Sequence, residues 1–125
     1  MGATRLAFAI TAVIFLACVV LQVFLAGLGV FAGESNFELH RNFGYLFGWL
    51  TLVLLVLAIV GRLGRELIVE SAALLVLFAL QSVFVALRTD LPWVAALHPV
   101  NALAIFLIAA RLVARSLRAE PGATP

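Results

Sequence analysis

Three long stretches of this chain carry no charged side chain: Leu6 to Phe31, Asn42 to Gly61, and Leu91 to Ala110, the last with His98 as its one titratable group. A bilayer core about 30 Å thick is crossed by about 20 apolar residues in a helix, so each stretch is long enough to span it. A fourth run, Ser71 to Leu87, reaches that length when Leu67 to Val69 join it. Glu70 then lies near one surface, where its carboxylate reaches water or headgroups. With 66% of 125 residues hydrophobic and 11% charged, the chain has more apolar surface than one soluble domain can bury. Lipid is the solvent that this composition requires.

The expected fold is an all-α membrane protein of one domain, with helices at about 6–31, 36–61, 66–88 and 91–113 and a short cytoplasmic tail at 114–125. Short loops make consecutive helices antiparallel neighbours, which gives an up-down-up-down bundle with the second and fourth helices on opposite corners. Arg5, Arg62, Arg65, Arg111, Arg115 and Arg118 fall at the end shared by both termini, and Arg41 and Arg88 at the other. Positive charge is retained on the cytoplasmic side, so both termini are expected in the cytoplasm, with the chain multi-pass in a bacterial inner membrane. The net charge of +2 is accounted for by this topology and points to no nucleic-acid partner, which needs a clustered basic surface. The first apolar run is too long for a secretory signal. Cys18 is the only cysteine, so no intrachain disulfide forms.

Helix boundaries are marked along the chain. Ser35 and Glu38 have the spacing of a capping box at the start of the second helix. Gly61-Arg62-Leu63-Gly64-Arg65 forms a basic turn with glycines suited to a helix end. Asp90 is placed to cap the fourth helix, and Pro92 fits its first turn, where a missing amide costs little. Trp93 follows as an interfacial anchor, and Pro99 is expected to kink the helix beside His98, aiming the imidazole, or to follow a short interfacial helix. Pro121, Gly122 and Pro125 discourage helix in the tail. A faint two-fold repeat pairs the two helix hairpins, since the second and fourth helices each carry one histidine in their early turns.

His40 and His98 each lie about 7–11 Å from the start of their helices, at similar depth near the outer surface. If both point inward, two imidazoles face each other across the bundle diagonal, the arrangement that holds a heme iron from two sides. A hydrogen-bonded pair has the same placement. Gly44 and Gly48 lie one and two turns below His40 on the same face, leaving room for a flat macrocycle, although membrane helices also use small residues for close packing. Gln22, Gln81, His40, His98 and Asn101 bring polar groups from all four helices into the outer half of the membrane, where such groups usually face the bundle interior. Arg41 and Arg88 at the outer rim suit heme propionates, or lipid phosphate and water. Glu70 is expected to be an interfacial residue paired with Arg62, Arg65 or Arg111, with a proton-relay carboxylate as the alternative. Nothing in the sequence has the pattern of a nucleophile with its base, a phosphate loop or a zinc cluster.

The segments Phe37 to Tyr45 (FELHRNFGY) and Leu97 to Ala102 (LHPVNA) resemble a family of small four-span bacterial membrane proteins known only as a domain of unknown function. The His40-Arg41 pair opening the second helix, with a histidine early in the fourth, also resembles one four-helix half of heme A synthase. That resemblance implies a b-type heme between His40 and His98. The synthase pattern has a glutamate three residues before its histidine, whereas Glu38 precedes His40 by two and, at about 100° per residue, points to another face. The synthase also has two fused halves, so an equivalent site here implies a homodimer, and the synthase activity is not carried over. The expected function is a b-type heme protein serving electron transfer, heme handling or redox sensing with a membrane redox partner. The alternatives are a cofactor-free accessory subunit and a bundle that binds a quinone or other small molecule.

Overall fold

The computed structural model describes residues 2–118. It is all helical, with α1 at Ala3–Phe31, α2 at Phe37–Val60, α3 at Arg65–Ala86, a short α4 at Pro92–Ala95 and α5 at Leu97–Ser116. Four of its helical segments are long and apolar enough to cross a membrane, the last formed by α4 and α5 together.

Several boundaries differ from the sequence reading for local reasons. A 3-10 turn, Glu34–Asn36, precedes α2, so Ser35 sits inside a helical turn; no side chain caps α2, and the expected capping box is absent there. Gly33 enters this turn at φ 121°. Leu91, not Asp90, occupies the N-cap of α4, with Pro92 in its first turn. The expected fourth helix is broken at Ala96, four residues after Pro92. Pro99 has no amide to donate to the Ala95 carbonyl and its ring crowds that oxygen, so α4 ends at Ala95. In the turn between α2 and α3 the left-handed residue is Arg62, at φ 48°, with Gly64 at φ 99°. Gly61 instead serves close approach, because a Cβ there would lie 2.6 Å from Thr4 Cγ2. Helix α5 continues to Ser116, past the expected end at 113, and its last carbonyls explain why. Arg5 donates to the carbonyls of Arg115, Ser116 and Arg118, satisfying acceptors that a helix C-terminus leaves open. Residues 119–125, with Pro121, Gly122 and Pro125, lie outside the described residues.

Each long helix packs on its sequence neighbours and α1 closes the ring on α5, so the bundle is the expected four-helix square with α2 and α5 on a diagonal. The two hairpins repeat one another. Phe8, Ala12, Phe15, Val19 and Gln22 on α1 recur on α3 at one constant offset as Leu67, Ser71, Leu74, Phe78 and Gln81. His40, Phe47, Thr51, Leu54 and Ala58 on α2 recur on α5 as His98, Ile105, Ala109, Leu112 and Ser116, again at one offset. Phe8, Ala12, Phe15, Leu67, Ser71 and Leu74 are all buried, as are Thr51, Leu54, Ala58 and their counterparts Ala109, Leu112 and Ser116. The core is therefore the same inward stripe written twice. Outside it the bundle shows lipid a wall of Val23, Phe24, Leu46, Trp49, Val60 and Leu107, each at least 60% exposed, as a bilayer-embedded helix set requires.

At the end of the bundle that carries both termini the repeat is broken. Glu70, 14% exposed, accepts two hydrogen bonds from Arg111, at 3.0 and 2.7 Å, and lies 3.4 Å from Arg115. Arg115 also pairs with Glu66. This ionic clamp joins α3 to α5; Thr11, Val53 and Leu57 hold the corresponding places in the first hairpin.

Candidate functional site

The repeat carries the two histidines to the same level on the bundle diagonal. Their ring centroids are 6.1 Å apart, with the ring planes at 62°. His40 Nδ1 lies 3.0 Å from the carbonyl of Gln22 on α1, and His98 Nδ1 lies 3.3 Å from the carbonyl of Gln81 on α3. A carbonyl oxygen only accepts, so each Nδ1 carries a proton, and in the corresponding neutral tautomer the lone pair is on Nε2. This is the arrangement by which proteins orient a ligating histidine.

The other expected residues divide into those that hold this pair and those that do not. Gln22 Nε2 donates to the backbone carbonyl of His40 at 2.8 Å, while its Oε1 is buried without a hydrogen-bond partner. Asn101, 9% exposed, donates to the carbonyl of Leu77 at 2.8 Å and to Gln81 Oε1 at 3.0 Å. Gln22, Gln81, His40, His98 and Asn101 are thus brought together. Gly44 and Gly48 do not leave an open face below His40. A Cβ at Gly44 would lie 2.8 Å from Gln22 Nε2, and one at Gly48 would lie 2.6 Å from the Phe78 ring, so these positions admit a carboxamide and an aromatic ring. Arg41 and Arg88 are exposed at the end opposite the termini and turned to local partners: Arg41 lies 3.8 Å from Glu38, and Arg88 donates to the Val85 carbonyl.

Four phenylalanines pack together beneath the histidines. Phe43 packs on Phe47 at 5.1 Å, and Phe47 meets Phe15 at 5.5 Å and Phe78 at 5.2 Å. Phe43 and Phe47 are one and two turns from His40 on its own face, the spacing that could have identified them. A groove of about 480 Å³ between α2 and α3, with Tyr45, Trp49, Thr51 and Leu75 in its wall, includes Gly48 but none of the polar set. An apolar ligand there would not touch the histidines.

Residues 22–90, more than half of the chain, match the model of one protein family. The chain belongs to DUF6220, a family of unknown function. The DUF6220 segment takes in Gln22, His40, Gly44, Gly48 and Gln81, and ends before His98 and Asn101. No curated protein and no solved structure matches the chain, so the resemblance to heme A synthase rests on the residues quoted for it alone.

Proposed function

We propose that this protein is a membrane-embedded b-type heme protein with His40 and His98 as axial ligands, and that it carries single electrons. The observation that supports the reading is the imidazole pair. A ligating nitrogen lies about 1.1 Å from its ring centroid and about 2.0–2.1 Å from a bound metal, so two imidazoles on one ion have centroids about 6.2–6.4 Å apart. The separation here is 6.1 Å, with both Nδ1 atoms engaged. The number of donors suits a heme, but the space beside them does not stand open: Gln22 fills the face of Gly44 and Phe78 that of Gly48, so binding would require those side chains to move. Among the described residues no group of three or more His, Cys, Asp and Glu side chains is placed to hold a metal. A structural zinc needs four protein ligands, whereas a heme brings four nitrogens of its own and needs two.

When bound, the heme would supply a one-electron couple. Two histidine ligands leave no coordination position for a substrate, which favours electron transfer over oxygen chemistry. His40 and His98 would hold the iron, the Gln22 and Gln81 carbonyls would keep each Nδ1 protonated, and Arg41 and Arg88 at the rim are the cations within the outer end that suit propionates. We place that end on the outer face of a bacterial cytoplasmic membrane and both termini in the cytoplasm, because six of the eight arginines lie at the other end. A membrane redox partner follows from this role.

The test is an optical spectrum of protein purified in mild detergent from heme-supplemented cells, oxidised and then reduced with dithionite. The expected result is a sharp reduced α-band of b type that disappears in His40→Ala and in His98→Ala. A colourless protein that takes up no added heme would leave the polar set as an interhelical hydrogen-bond network and the chain as an accessory subunit. A normal six-coordinate spectrum in either variant would refute the ligand assignment.

A further inference from the structure

We propose that the seam between α1 and α5, at the end of the bundle that carries both termini, holds one acyl chain of an anionic phospholipid, with the lipid phosphate at Arg118. A groove of about 220 Å³ runs along that seam, lined by Leu6, Ala9, Ile10, Val13, Ile14 and Leu117. Ala9 is buried and makes the floor, while Ile10, Val13 and Ile14 are about half exposed and stand as its walls. No side chain of the lining carries a polar atom, so the groove is suited to hydrocarbon. The site shares no residue with the histidine pair and stands or falls apart from the heme reading.

The dimensions favour a lipid chain over a helix. Leu6 to Ile14 rise about 12 Å along α1. One leaflet's share of a core about 30 Å thick is about 15 Å, so the groove takes most of one chain and ends near the middle of the membrane. A helix of a second copy needs a seam about 30 Å long and about 10 Å wide, and is too large for it. The repeat shows that this shape belongs to one seam. By the offset that relates α1 to α3, the places of Leu6 and Ala9 are taken by Arg65 and Ile68. Ile68 packs against the core, so the matching seam between α2 and α3 has neither the small floor nor the apolar mouth at that level.

Charge at the mouth selects the headgroup. Arg5 adjoins Leu6 and Arg118 adjoins Leu117, and Arg5 donates to the Arg118 carbonyl at 3.1 Å, which brings the two sides of the mouth together. Six arginines stand at this end against two carboxylates among the described residues, Glu66 and Glu70. Arg111 and Arg115 are paired with those acids, and Arg5 is engaged with the α5 carbonyls. Arg118 is exposed, and its guanidinium makes no hydrogen bond or ion pair among the described residues. A guanidinium beside a hydrocarbon slot at headgroup depth suits a lipid phosphate with net negative charge. Lipid elsewhere is as apolar as the groove, so the charge decides which lipid stays.

The experiment is native mass spectrometry of the full-length protein in detergent micelles, mixed with phosphatidylglycerol and phosphatidylcholine of identical chains. The expected result is one phosphatidylglycerol retained per protein in preference to phosphatidylcholine. Arg118→Gln should cut that preference about five-fold, the weight of one arginine near a charged lipid surface, while Arg62→Gln, on the turn between α2 and α3, should leave it unchanged. Val13→Trp should fill the groove and lower retention of both lipids. An unchanged preference in Arg118→Gln, an equal loss in Arg62→Gln, or full retention in Val13→Trp overturns the site. So does a native dimer that Val13→Trp splits, which gives the groove to a second copy. Arg118 lies beyond the end of α5, so its variant decides the matter even where Val13→Trp fails to insert.

Discussion

The two glycines below His40 look alike in sequence, yet the structure gives them opposite expectations. At Gly48 a Cβ would lie 2.6 Å from Phe78 Cε1, against 3.4–4 Å for ordinary contact, so Gly48→Ala must push the ring back by about 0.8 Å. Phe78 has little room, because its ring sits edge-on to Phe47 at 5.2 Å and to Phe15 at 6.0 Å. Overpacking of this kind costs about 1–3 kcal/mol, offset by about 0.8–1 kcal/mol of helix propensity. The net expectation is a loss of about 1 kcal/mol. At Gly44 the obstacle is the amide end of Gln22, a flexible group whose displacement forfeits one interhelical hydrogen bond. Such bonds average about 0.6 kcal/mol in membrane bundles, which the same propensity gain cancels. Gly44→Ala should therefore be as stable as native. Reversible unfolding by SDS in mixed micelles, followed by far-ultraviolet circular dichroism, measures both variants. Equal stabilities within about 0.5 kcal/mol, or Gly44→Ala as the less stable of the two, would refute the reasoning, because Phe78 would then be free to yield.

Phe15→Ala tests how the core is held. Lipid is as apolar as the core, so the transfer part of the loss falls away and the cavity part is left, about 2.4 kcal/mol for about 100 Å³ at 24 cal/mol per Å³. A loss above about 4 kcal/mol in the same unfolding assay would contradict this, and Leu74→Ala, the matched position of the other hairpin, should cost less. Glu70→Gln keeps the shape of the inner clamp but removes its charge; Arg111 is 61% exposed, so the expected loss is about 1 kcal/mol and should shrink at high salt. Orientation is tested in a Cys18→Ser background with Glu34→Cys or Arg62→Cys. A membrane-impermeant maleimide should label the first in intact cells and the second only after permeabilisation, and the reverse pattern would invert the topology.

How much of this was legible in the sequence follows the physics of each feature. The four spans were readable because a bilayer sets one length for all of them, and the diagonal of α2 and α5 followed from short loops alone. The level shared by His40 and His98 needed only counting along two helices. Pro99 marked the break as well, because it removes the bond to Ala95 and the short helix α4 ends there. The capping box failed because a box counts residues from a helix start, and the 3-10 turn at Glu34–Asn36 moved that start. The acceptors that orient the imidazoles were beyond reach for another reason. They are the main-chain carbonyls of Gln22 and Gln81, atoms every residue possesses, and only the packing of α1 on α2 and of α3 on α5 selects which ones meet a ring. The repeat lies between these cases. Its offsets were present in the sequence, but Phe8 over Leu67 or Phe47 over Ile105 is a match of burial and not of side-chain type. It emerges once the inward stripe is known, and it is what turns two separate histidines into one site on the axis between two hairpins.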